Sequence, residues 1–162
     1  MLRNLELSIN GETRRLEIED TTSLLEALRN ALGLKAARFG CGAGECGACV
    51  VLIDGEARPS CQIEVGNLAG KTITTLEGMG TAERPHPLQT AFLDLQAGQC
   101  GYCLSGIMVA AQALLARNPD PSRADIALAL GGHLCRCGAH NRILTAVALA
   151  GRRMREAAQA PA

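Results

Sequence analysis

The eight cysteines of this 162-residue sequence carry its chemistry, and they fall into two groups of four. Cys41, Cys46, Cys49 and Cys61 follow C-x4-C-x2-C-x11-C, while Cys100, Cys103, Cys135 and Cys137 follow C-x2-C-x31-C-x-C. The opening C-x4-C-x2-C is the plant-type [2Fe-2S] spacing, in which a loop wraps the cluster and aims backbone N–H groups at its sulfurs. Gly42, Gly44 and Gly47 interleave those cysteines, where a side chain would block that approach. In the second group each short pair can supply two thiolates to one iron, and two pairs complete the four ligands of a second [2Fe-2S] cluster. Eight ligands thus divide into two clusters with none left over.

Other chemistries account for the spacing less well. Structural zinc takes four thiolates, but its usual sites join two knuckles of similar spacing, and Cys135-Arg136-Cys137 departs from that. Disulfides would leave 105 connectivities open and conflict with a reducing compartment. A dithiol redox reading of Cys100-Gly-Tyr-Cys103 lacks its strand–helix–strand context. His133 and His140 flank the last cysteine pair, yet a Rieske centre would use two histidines and only two cysteines, so both are expected beside the ligand set or at the surface. His86, between Pro85 and Pro87, reads as linker. No Gly-x-Gly-x-x-Gly follows a strand, and there is no P-loop and no nucleophile with an evident base, so no catalytic residue is expected in this chain.

The cysteines must be positioned by two kinds of element. Leu5, Leu7 and Ile9 alternate with polar residues, Asn10-Gly11 marks a turn, and Leu16 and Ile18 resume the alternation, which predicts a β-hairpin. Ser23 and Glu26 form a capping box before Leu24, Leu25, Leu28 and Leu32, and Gly33 stands where that helix should stop. The first cysteine loop leads into an apolar strand over 50–53, Asp54-Gly55 turns the chain back toward Cys61, and residues 72–76 suit a last strand. This predicts an α+β unit over 1–77, a linker over 78–86 rich in Gly and Pro, and a helical unit over 87–162. Four helices are expected there: one containing Leu88, Phe92 and Leu95, one from about Leu104 to Asn118-Pro119, one capped by Ser122 and Asp125, and one over about 141–155 followed by a frayed Ala-rich tail.

Composition narrows the partners. Sixteen basic residues balance sixteen acidic ones, which removes the electrostatic basis for nucleic-acid binding. The cluster Arg152, Arg153 and Arg155 reads as a helix end complementing its own dipole. With no Trp, one Tyr and two Phe, the core must be built from Leu, Ile, Val and Ala. Charges, Gly or Pro interrupt each apolar run, so no membrane insertion is expected. The N-terminus lacks the apolar core of a signal peptide, and Arg14-Arg15 runs into Leu-Glu-Ile-Glu-Asp rather than into a leader. A cytoplasmic location is expected, with export only as the passenger of a partner.

Phe39-Gly-Cys-Gly-Ala-Gly-Glu-Cys-Gly-Ala-Cys49, Gln99-Cys-Gly-Tyr-Cys103 and Leu134-Cys-Arg-Cys-Gly138 closely resemble the iron–sulfur small subunit of molybdenum hydroxylases, the xanthine oxidase family. The resemblance spans nearly the whole chain and fills all eight ligand positions. It implies an N-terminal β-grasp, plant-type ferredoxin-like domain and a C-terminal four-helix domain, each with one [2Fe-2S] cluster. It also implies a separate large catalytic subunit holding molybdopterin in its cytosine dinucleotide form, with Gln99 bonding the pterin and Cys137 against it. After Cys137 many relatives continue Thr-Gly-Tyr, whereas here Gly138-Ala-His140-Asn follows, which looks more like isoquinoline and nicotinate dehydrogenase small subunits. Those subunits imply an N-heteroaromatic or aldehyde substrate and a cytochrome c as acceptor, with a flavin subunit the other candidate. A free-standing two-cluster ferredoxin and a zinc-stabilised interaction module are the rival readings.

Overall fold

The computed structural model describes residues 2–160. Strands β1 (Leu2–Ile9) and β2 (Glu12–Glu19) pair antiparallel from Leu2↔Glu19 to Ile9↔Glu12. Asn10 and Gly11 take φ of 54° and 82°, the two left-handed residues that a tight type I′ turn needs. Three further strands complete a mixed sheet: β3 (Val50–Ile53), β4 (Glu56–Pro59) and β5 (Thr72–Thr74), in the order β2-β1-β5-β3-β4. Among the described residues, only the β1–β5 pair is parallel.

Helix α1 (Leu24–Glu26) opens as the capping signal predicts, with the Glu26 amide donating to Ser23 Oγ. It then widens into a π turn over Ala27–Ala31, a departure from the regular helix expected through Leu32. Leu24, Leu25, Ala27 and Leu28 are all buried, and they cover more of the circumference than a one-sided helix would.

Four helices follow: α2 (Pro87–Asp94), α3 (Leu104–Arg117), α4 (Arg123–Ala129) and α5 (His140–Gln159). Ser122 and Asp125 form the reciprocal capping box expected of α4. His86 is not bare linker, because its Nδ1 accepts from the Leu88 amide while Gln89 accepts from the His86 amide, a cap that Pro87 at N1 reinforces. Helix α5 runs four residues past Arg155, so the arginine cluster lies inside it rather than at its end. Arg153 instead bridges to Asp94 of α2 at 2.7 Å, and Arg155 to Asp120 at 2.9 Å, fastening α5 across its neighbours.

Two hydrophobic cores result, and they meet at β3. Val51 joins Leu7, Ile9, Leu28 and Ile73 in the first, whereas Val50 and Leu52 face Ile107, Leu114 and Ile143 in the second. The unbroken apolar run of β3 is therefore a strand covered on both faces. Because α3 packs directly on this strand, the C-terminal helices hold a fixed position over the sheet that carries the first cysteine loop. Among the described residues, no helix is long and apolar enough to cross a membrane.

Candidate metal centre

All eight cysteines are free thiols, and the fold brings them together in pairs. The first group lies on the loop between the π turn and β3, joined by Cys61 from the short 3-10 segment Ser60–Gln62 that follows β4. Gly42, Gly44 and Gly47 take φ of 68°, 78° and 72°, which lets the loop reverse repeatedly within a few residues. Its amides turn inward as a consequence: Ala43 N and Glu45 N each donate to Cys41 Sγ at 3.3 Å, and Cys41 N donates to Cys46 Sγ at 3.4 Å. The Ala43, Glu45 and Cys46 amides lower the Cys41 pKa to about 7. A Cβ at Gly40 would come within 2.6 Å of Cys46 Sγ, so the backbone there is moulded to the sulfur.

The second group lies between the end of α2 and the start of α5. Cys103 caps the N-terminus of α3 and is buried, while Cys100, before the turn, is exposed. The side chains of this short pair diverge, and pairing runs between the segments: Cys100 and Cys137 stand 3.5 Å apart at the surface, and Cys103 contacts Cys135 on the inner side. The thiols therefore approach one another across the two segments rather than within each short pair. In the first group Cys41 lies with Cys46, and Cys49 with Cys61.

The arrangement suits a binuclear cluster. The thiols stand two by two, Cys41 with Cys46, Cys49 with Cys61, Cys100 with Cys137 and Cys103 with Cys135. A [2Fe-2S] core takes its ligands in that way, one pair on each iron. A cavity of about 270 Å³ lies between the two loops, lined by Cys100, Cys103 and Cys137 on one side and Gly40, Cys46 and Ala48 on the other. Burial pushes the Cys103 thiol up to about 12 and Cys49 up to about 11, so these inner thiols ionise only when a cation is present to offset the desolvation.

The two loops touch. Leu134 N, one residue before Cys135, donates to Cys46 O at 3.0 Å, and Tyr102 Oη donates to the Phe39 carbonyl with the Arg38 guanidinium 5.3 Å from the centre of its ring. Gln99 is exposed and borders a second cavity of about 300 Å³ with Phe92, Leu93, Leu104 and Met108. His140 is exposed at the start of α5, whereas His133 is enclosed, with neither ring nitrogen hydrogen-bonded among the described residues.

Sequence reasoning passed over Ser60, which is fully buried and donates through Oγ to Cys49 O at 2.6 Å. Its position immediately before Cys61 was the available signal. Ser60→Ala is expected to lose about 1 kcal/mol of stability, the net value of one such bond, because the Ser60 amide still reaches the same carbonyl at 3.3 Å. Denaturant titration of the holoprotein checks this, and a loss near 3 kcal/mol would mean that the carbonyl had been left without a partner.

Two family models match this chain. A "2Fe-2S iron-sulfur cluster binding domain" covers residues 7–72 and a "[2Fe-2S] binding domain" covers 75–148. One of the chains of nicotinate dehydrogenase from Pseudomonas putida is 50% identical over 147 residues, 91% of this chain and 94% of that one. The alpha chain of isoquinoline 1-oxidoreductase from Brevundimonas diminuta is 44% identical over 144 residues, 88% of this chain and 94% of that one. The crystal structure of quinoline 2-oxidoreductase from Pseudomonas putida 86 superposes with a TM-score of 0.91 at 35% identity, over 96% of this chain and 97% of the matched one.

Proposed function

This chain belongs to the iron–sulfur small subunits of the molybdenum hydroxylases, the xanthine oxidase family, and on that footing we propose that it is the non-catalytic electron-transfer subunit of such an enzyme. Its substrate class is an N-heteroaromatic compound, in keeping with the names of the relatives, with an aldehyde as the other outcome of a substrate panel. The observation that carries the reading is the division of eight thiols into two sets of paired ligands on loops that touch through Leu134 and Cys46.

Each residue then has a role in its own chemistry. Cys41, Cys46, Cys49 and Cys61 hold the first cluster within a β-grasp unit, and Cys100, Cys103, Cys135 and Cys137 hold the second within a four-helix unit. The amides of Ala43 and Glu45 stabilise negative charge on the first set. Cys49 and Cys103 keep the inner face of each set dry. When bound, a [2Fe-2S] cluster takes up and releases one electron at a time. Gln99 and Cys137 are the residues directed at a molybdopterin cytosine dinucleotide on the large subunit, which puts the second thiol set on the substrate side and the first on the side of the acceptor, a cytochrome c or a flavin subunit.

Isolation of the native complex tests this reading. It should contain a larger molybdenum-bearing chain, about four iron atoms per copy of this chain, and two distinct EPR signals on reduction. A two-cluster monomer without molybdenum would establish the free-standing ferredoxin instead, and a colourless protein without EPR signals would establish the zinc module. In the same complex Gln99→Ala should leave both signals intact while slowing reduction by substrate. Loss of a cluster would make Gln99 a structural residue.

A further inference from the structure

The contact between the two cysteine loops contains a feature that ligand binding alone does not require. Gly106, in the first turn of α3, has no room for any side chain: a Cβ there would lie 1.9 Å from Gly47 O and 3.0 Å from Gly47 C. Gly47 is itself enclosed on another side, since its own Cβ would meet His133 Cδ2 at 2.4 Å and Cγ at 2.7 Å. The backbone of the first loop is thus gripped between a helix surface and an imidazole ring. Cys46 on one flank of Gly47 is bonded through its carbonyl to Leu134 N, and Leu134 follows His133 directly. The grip lies one residue from a thiol of the first set, three from Cys103 on α3 and two from Cys135.

His133 contributes shape here. The backbone of Gly106 and of Leu130 lies beside the ring, yet both ring nitrogens are buried without completing a hydrogen bond among the described residues. A buried polar ring in that condition carries a desolvation cost, which a hydrogen-bonded or apolar side chain would avoid. Its position against Gly47 is what the ring supplies in return. Helix α3 is anchored on β3 from behind, so its first turn is a rigid surface against which the loop is pressed.

We propose that Gly106, Gly47 and His133 form a steric interlock that sets the distance and mutual orientation of the two cluster-binding loops. The proposal rests on the reading of both thiol sets as [2Fe-2S] sites. Restoring ordinary contact at Gly106 after addition of a methyl group requires a displacement of roughly 1.5 Å, from 1.9 Å to the 3.4 Å at which ordinary contact begins. Helix α3 cannot yield without disturbing the second core, so the first loop must move. Spin–spin coupling between two reduced clusters falls with the cube of their separation, and electron exchange between them falls exponentially. Both quantities report the interlock without involving the substrate reaction.

The test uses the complete protein with both clusters, carrying Gly106→Ala, His133→Ala or the control Gly132→Ala, whose added Cβ would meet nothing within 4 Å. The expected result is unchanged iron content and unchanged individual EPR signals in all three, with the splitting from inter-cluster coupling reduced in Gly106→Ala and His133→Ala only. Inter-cluster electron transfer, followed by rapid reduction, should slow several-fold in those two and stay at the wild-type rate in the control. Wild-type coupling in Gly106→Ala with both clusters present overturns the proposal. Should Gly106→Ala fail to fold, His133→Ala decides, since it removes the wedge without adding bulk: weakened coupling supports the interlock, and wild-type coupling or loss of a cluster overturns it. A wild-type chain that binds fewer than two clusters would instead overturn the functional reading on which the proposal rests.

Discussion

Cys135→Ala is expected to lower the iron content from about four to about two atoms per chain, erase one of the two reduced-cluster EPR signals and bring substrate-driven reduction of the acceptor to background. The inner pair of the second set is Cys103 with Cys135, and removal of Cys135 leaves one iron with a single thiolate. Cys103 cannot compensate, because it is a single thiol held at the cap of α3 and can supply only one ligand. The first set is expected to survive, since the Leu134–Cys46 bond that joins the loops involves only backbone atoms and is untouched by the substitution. Cys100→Ser offers the informative contrast: Cys100 belongs to the exposed outer pair, so a hydroxyl or water can complete the ligand shell and some second-cluster signal should persist. Retention of four irons in Cys135→Ala, or equal damage in the two variants, would sink the pairing assigned to these thiols.

That pairing marks the boundary of what could be read from the amino-acid order. The loop carrying Cys41, Cys46 and Cys49 is legible from local spacing, because C-x4-C-x2-C describes one loop and its glycines describe how that loop bends. The hairpin turn at Asn10-Gly11 and the Ser122–Asp125 cap are likewise local, each a matter of neighbouring dihedrals and a side chain within reach of its own backbone. Which thiol in the second set faces which depends instead on the angle at which the loop before α3 meets the loop before α5, and no residue within either loop encodes that angle. Ser60, His86 and His133 were obscure for the same kind of reason. Ser60 and His133 act on partners eleven or more residues away, and His86 looked like linker because a histidine cap is unusual even where Pro87 announces a helix start. The run Val50-Val51-Leu52-Ile53 did signal a buried strand, but its two-sided burial requires the C-terminal helices to pack on the far face of the sheet, a tertiary fact. The π turn after Glu26 likewise answers to the sheet it covers, not to its own propensities.

Ile107→Ala is expected to cost about 3–4 kcal/mol, near the middle of the range for a large aliphatic side chain deleted from a well-packed core. Ile107 is 1% exposed, one turn into α3 from Cys103, and it packs with Leu130 and Ile143 beside a cavity of about 330 Å³ that His133 also lines. A side chain bordering existing empty space leaves a hole that its neighbours cannot close by a small shift, so the cavity cost is retained rather than relaxed away. Helix α3 cannot rotate to compensate, because residues Ile107 to Ala111 are buried in succession between β3 on one face and α2 and α4 on the others. For a chain of this length the loss corresponds to a melting temperature lower by roughly 6–15 °C. Leu128→Ala supplies the reference: Leu128 is 84% exposed on α4, and its truncation should change stability by less than about 0.5 kcal/mol. Thermal unfolding of both variants with their clusters bound, followed by far-ultraviolet circular dichroism and by visible absorption, makes the comparison. Because α3 begins at Cys103, a proposed ligand, bleaching of the second cluster should advance together with the loss of helix in Ile107→Ala. A shift no larger than that of Leu128→Ala would show that α3 is not the element that holds the second thiol set in place.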